Sequence, residues 1–199
     1  MPYYTRILTP SRKPIPSSKL GDAIRPLGAR LDGEVDSLIW EELEAIDING
    51  RLVVRVERNE VLDGSLAQGE VEDFKGEIAE CKPTSASEWL CQYLSSVVTI
   101  YVFQIFVDVN DSDSGEIVGT LRDKIWGTVG GIIQADGEGF TNEDGYHILW
   151  QFSDRVTGDW WMATLYEGNW KKFKIDLGND LHRSAFQSGA VPAGVQPID

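Results

Sequence analysis

The run from Val97 to Val107 (Val-Val-Thr-Ile-Tyr-Val-Phe-Gln-Ile-Phe-Val) is almost continuously apolar and β-prone. It is far shorter than the roughly 20 apolar residues of a membrane span, and it reads as a central strand buried on both faces. Such a strand needs partners on either side and helices above it. With 42% hydrophobic and 10% aromatic residues in 199, the chain can supply them.

Tyr3 to Thr9 reads as a strand, followed by a Pro- and Ser-bearing connection from Pro10 to Pro16. Ser17 or Ser18 can cap a short helix carrying Leu20, Ala23 and Ile24, which Pro26 should limit. Leu38 to Ile48 alternates, with Leu38, Trp40, Ile46 and Ile48 on one parity. Asn49-Gly50 signals a type I′ turn, and Arg51 to Glu57 returns with Leu52, Val54 and Val56 on one face. Glu70 to Cys81 reads as a helix with an acidic first turn and a stripe of Val71, Phe74 and Ile78. Pro83 ends that run, and Ser85 with Glu88 has capping-box spacing before a helix bearing Trp89, Leu90, Tyr93 and Leu94.

After the central strand comes an acidic loop, Asp108 to Glu116, then a helix with Leu121, Ile125, Val129 and Ile132. Gly127, Gly130 and Gly131 each weaken that helix by about 1 kcal/mol relative to Ala. A polar loop spans Gln134 to Gly145. A three-strand meander is expected next, over Tyr146–Phe152, Trp160–Tyr166 and Trp170–Leu177. A short helix near Leu181–Phe186 precedes a loose tail at 190–199.

The expected class is therefore α+β: a mostly antiparallel, mixed sheet with helices packed on it, in two similar β-α-β-β halves. One domain over 1–199 is expected, with a natural subdivision into 1–96 and 97–190.

Charge narrows the partners. Thirty-two acids against eighteen bases leave a net charge of −14. Nucleic acids and anionic membranes are poor partners for such a field, and a basic protein, a cation or a neutral ligand is easier to accommodate. The N-terminal Met1-Pro2-Tyr3-Tyr4-Thr5-Arg6 lacks the apolar run of a signal peptide, so a bacterial-type cytoplasmic protein is expected. Cys81 and Cys91 have no metal-type spacing and form no disulfide framework.

Candidate chemistry gathers between Trp126 and Trp170, which holds five of the seven tryptophans. From Gly130 to Trp170 seven acids face one certain base, Arg155. In the 134–145 loop, Asp136, Glu138, Asn142, Glu143 and Asp144 are oxygen donors of the type calcium takes, but the EF-hand spacing is absent. The loop at Asp108–Glu116 fails the same pattern, with Gly119 where the bidentate Glu belongs. No cofactor is expected.

His147 follows the first loop and could serve as a general base if turned toward its carboxylates. No HxxxH, GxSxG or phosphate-binding glycine loop supports catalysis, so an enzyme is the lesser expectation. Trp160 and Trp161 must point to opposite faces of a strand, so one enters the core. The other is an anchor wherever no helix covers it.

Three functions remain in view. The first is an acidic protein-binding module, like immunity or antitoxin proteins that inhibit a basic partner. Its rim would be Asp136, Glu138, Glu143 and Asp144, and its anchor Trp160 or Trp161. The second is a small-ligand or metal-dependent enzyme at the 134–147 loop. The third is a homo-oligomeric scaffold built on the aromatic face.

Overall fold

The computed structural model describes residues 3–34, 37–107, 112–153 and 155–198. The first half runs β1 (Tyr3–Thr9), α1 (Ser17–Ile24), β2 (Arg30–Gly33), β3 (Glu42–Ile46), β4 (Leu52–Glu60), α2 (Leu66–Ile78) and α3 (Thr84–Leu94). The second runs β5 (Thr99–Ile105), α4 (Ser112–Val129), β6 (Ile132–Ala135), β7 (Gly139–Phe140), β8 (Asp159–Tyr166), β9 (Asn169–Asp176) and α5 (Asp180–Gln187). The class is α+β with antiparallel strand pairs, as the pattern implies. Positions 108–111 of the second acidic loop lie outside the described residues, as does Asp154. Among the described residues no helix is long and apolar enough to cross a membrane.

The chain forms two compact units, each drawn from two segments: 1–67 with 97–131, and 68–96 with 132–199. In the first unit the strand order is β2-β3-β4-β5-β1, every pair antiparallel. β5 sits between β4 and β1 because nearly all its side chains are apolar. Ile100, Tyr101 and Phe103 are essentially fully buried, and burial of such side chains stabilises the fold by about 1.5–3 kcal/mol each. Across one row Glu44, Arg55, Gln104 and Tyr4 are register partners. Arg55 Nη2 donates to Glu44 at 2.7 Å and Gln104 Nε2 to Tyr4 at 2.9 Å, so this row is polar and half-buried.

Several local expectations change. Ser17 lies inside α1 rather than capping it; its hydroxyl donates to the Glu34 carbonyl at 2.9 Å and accepts from Ser37 N at 3.0 Å. Pro26 does mark the end, where α1 passes into a 3-10 turn, Arg25–Leu27. The β3–β4 hairpin forms with Val54 and Val56 buried, but on β3 the buried residues are Leu43 and Ala45; of the expected parity Trp40 is buried, while Leu38 is 62% and Ile48 80% exposed. The strand starts only at Glu42, and a bulge between Ala45 and Ile46 shifts the register.

The Asn49-Gly50 turn is not type I′. Asn49 keeps a negative φ, and only Gly50 is left-handed, at 80°. Asp47 Oδ1 accepts from Asn49 N and Arg51 N, both at 2.9 Å, which favours a type I turn closed by a glycine bulge.

α4 ends at Val129, because Gly130 and Gly131 take φ of 68° and 113°. A Cβ at Gly131 would lie 2.4 Å from the Leu8 carbonyl oxygen, so the glycine is required by close approach of two backbones. Ile132, read as the last helical apolar position, is instead the first residue of β6.

α2 begins at Leu66, four residues before the expected start, so Glu70, Glu72 and Asp73, in the second unit, fall beyond its first turn. The stripe itself holds: Val71, Phe74 and Ile78 are buried, and the Phe74 ring meets Phe140 edge-on at 5.3 Å. α3 starts at Thr84 without the expected box, since no side chain caps it. β8 and β9 form the hairpin expected from their alternation. Its turn places Glu167 at φ 48° and Gly168 at 77°, and this is where a type I′ turn occurs.

Candidate functional site

Every residue singled out for function lies in the second unit, around β8. The 134–145 segment is no open loop. It contains the β6–β7 hairpin, with Gln134 paired to Phe140 and Ala135 to Gly139. Asp136 is exposed in the hairpin turn and Glu138 is half-buried beside it.

Asn142 is fully buried. Its Oδ1 accepts from Asp144 N and Tyr146 N, each at 3.0 Å, which ties the 142–146 segment into a tight turn. Its Nδ2 is buried with no partner. With Oδ1 so occupied and Asp144 held by a lysine, the expected oxygen donors do not converge. Among the described residues, no group of three or more histidines, cysteines or carboxylates is placed to hold a metal ion.

The segment Tyr146–Phe152, expected as a full strand, makes a single bridging position. His147 pairs with Thr141 on one side and, in parallel, with Met162 on the other. His147 N donates to Trp161 O at 3.0 Å and Ala163 N to His147 O at 2.9 Å. Further on, Trp150 N turns away to the Lys82 carbonyl at 2.7 Å, so no second ladder forms.

The His147 ring faces the core. It meets the rings of Phe152 and Trp160 edge-on at 5.2 and 5.1 Å. The imidazole donates to the Glu138 backbone carbonyl, while Nδ1 is buried without a partner. Burial pushes its pKa down to about 4, and the bond to Glu138 only partly opposes this. The ring is therefore neutral at pH 7 and lies among aromatics, not among carboxylates. Trp160 packs on the same side, against a buried cluster of Phe152, Met162, Phe173, Ile175, Leu177 and Phe186.

Trp161 points the other way and is 49% exposed. Its surroundings are mixed in charge. Tyr146 meets it edge-on at 6.1 Å. Lys174 Nζ lies 5.6 Å from the centre of the Trp161 ring and 2.9 Å from Asp159 Oδ2. Lys172 Nζ lies 5.5 Å from the centre of the Tyr146 ring and 2.8 Å from Asp144 Oδ2. The bond to Asp144 is the main reason the Lys172 pKa is raised.

Further along this face, Trp170 meets Trp89 of α3 at 5.0 Å, and Trp89 stacks on Tyr93 at 5.2 Å. Burial pushes the Tyr93 hydroxyl pKa up, with the nearby Glu143 carboxylate adding to it. The helix thus meets the Trp170 end of the face and leaves Trp161 half-exposed.

The structure brings Asp144 and Trp161 to one surface, with Glu143 near Tyr93 of α3. It places His147 and Trp160 on the opposite face. Tyr146, Asp159, Lys172 and Lys174 complete the Trp161 surface and were not anticipated. Their signal is a shared spacing: Asp144-x-Tyr146, Asp159-x-Trp161 and Lys172-x-Lys174 each recur at the two-residue period of a strand. No family model matches this chain, and neither a curated protein nor a solved structure matches it.

Proposed function

We propose that this protein is a small acidic cytoplasmic docking module that binds a basic protein, in the manner of an inhibitor of a basic toxin or nuclease. The observation that carries the reading is the half-exposed Trp161 on the outer face of β8, on one surface with Asp144 and Asp159. Large aromatic rings at a partly desolvated centre provide most binding energy in protein interfaces. Surrounding carboxylates speed encounter with a basic partner.

Charge distribution supports the same unit. The second unit carries 16 of the 32 acids but 7 of the 18 bases, so most of the net charge resides there. Asp144 pairs with Lys172, and Asp136, Glu138 and Glu143 are the other acids of the proposed steering rim.

The test is capture from a lysate of the source organism with two baits, the natural protein and an Asp136→Asn/Glu138→Gln/Glu143→Gln variant. A basic protein retained at low salt by the natural bait, shed at high salt and lost by the variant is the expected result. Two baits that retain the same proteins at the same salt would remove the acidic rim from the account.

A further inference from the structure

The outer face of β8 holds the same arrangement twice. A carboxylate and an aromatic ring two residues apart close around an ammonium group: Asp144 and Tyr146 around Lys172, Asp159 and Trp161 around Lys174. The fold explains the repetition. The parallel bridge of His147 with Met162 brings Tyr146 beside Trp161, and the 142–146 turn carries Asp144 to the same surface. The antiparallel register then brings β9 across, with Lys174 opposite Trp161 and Lys172 opposite Ala163.

We infer that these two cages are cation-docking sites for Lys or Arg side chains of a basic partner, and that Lys172 and Lys174 are internal placeholders that a partner's cations displace. This rests on the docking function proposed above and names the chemistry that the Trp161 face would take.

Charge and geometry favour this occupant over an apolar one. A cation is attracted to a ring face and to a carboxylate at once, and each cage presents both to the same point. In a unit with 7 bases among its two segments, two are spent at this one surface. The side chains of Lys174 and Asp159 are 44% and 61% exposed, and ion pairs in that setting contribute little; Lys172 and Asp144, at 27% and 51%, are the more firmly paired. A partner that offers two cations at strand spacing, with added contact to the Trp161 ring, can therefore exchange for them. Arginine is the stronger candidate, since its planar group both stacks on the ring and pairs with the carboxylate.

The experiment uses the full chain and a hexa-arginine peptide as probe, with tryptophan fluorescence titration at low salt. Three variants are compared with the natural protein: Lys172→Gln/Lys174→Gln, Lys75→Gln/Lys82→Gln, and Lys172→Gln/Lys174→Gln with Trp161→Ala. Thermal melts confirm that each is folded. Emptying both cages should tighten peptide binding about tenfold. The control pair removes the same charge from the same unit and should tighten it far less. Adding Trp161→Ala should abolish most of the gain, read for that variant by calorimetry.

Equal tightening by the two lysine pairs would mean that net charge alone acts, and would overturn the inference. So would a gain that survives loss of Trp161, or no gain at all. A lysate partner whose capture depends on Asp136, Glu138 and Glu143, together with no gain in the cage variants, would leave the docking function standing and remove the cages. A gain in the cages with no basic partner captured would do the reverse.

Discussion

Trp160 and Trp161 are neighbours in the chain and meet opposite conditions. Trp160 lies against His147 and Phe152, at 5.1 and 4.8 Å, over a core that continues through Phe173 and Phe186. Trp161 is half-exposed beside Tyr146, with Lys174 across its face. Strand alternation requires the split, and the cover on each face decides its meaning. On the inner side, rings enclose a histidine and leave it neutral. On the outer side, α3 meets the Trp170 end and stops short of Trp161. The same residue type, one position apart, is a packing element in one case and half-exposed in the other.

The sharpest way to break this contrast is truncation. Trp160→Ala should destabilise the protein by about 3 kcal/mol, through lost burial and the cavity left beside Phe152. Trp161→Ala should cost less than about 1 kcal/mol, as surface changes do. Chemical denaturation of both variants measures the difference, and equal losses would erase the distinction between the faces.

Acid should act on the inner face alone. The folded state holds His147 neutral, with its pKa lowered to about 4 from the ordinary 6.5. Its contribution is intact above pH 6.5 and is lost as pH falls from 6.5 toward 4, a drop of up to about 3 kcal/mol. Denaturation midpoints for the natural protein and His147→Leu, measured across that window, should converge as the pH falls. Parallel curves would place the titration elsewhere.

A smaller effect belongs to the hairpin that presents both tryptophans. Gly168→Ala forces a side chain into a left-handed position at φ 77° and should cost about 1 kcal/mol in the melting transition. Smallest of all, Glu143→Gln should change stability by less than about 0.5 kcal/mol, since Glu143 is exposed. Any sizeable loss in a melt would give Glu143 a structural part, through its closeness to Tyr93.

Much of this architecture is legible in the residues. The run at Val97–Val107 does form the strand with a neighbour on each side, because apolar β-branched and aromatic side chains leave it no exposed face. The stripe of α2 and the alternation of β8 and β9 are equally direct. What resists reading depends on distant backbone. Tyr146–Phe152 alternates like a strand, yet Ile148 N goes to Phe140, His147 N to Trp161 and Trp150 N to Lys82, so its hydrogen bonds are divided among three partners. Asn49-Gly50 resembles a type I′ turn until the Asp47 carboxylate captures two N–H groups.

The candidate site is legible in the same uneven way. The tryptophan pair and the acids fall within one unit, but the lysines around Trp161 and Tyr146 come from β9 by register. His147, next to the loop in sequence, is turned from it by the bridge that its own backbone makes.

The most direct test of the Trp161 surface is capture of a basic partner at low salt with Trp161→Ala as bait beside the natural protein, after a melt shows the variant folded. The basic protein retained by the natural chain should be lost from the variant. Retention of that same protein in equal amount by Trp161→Ala would contradict it.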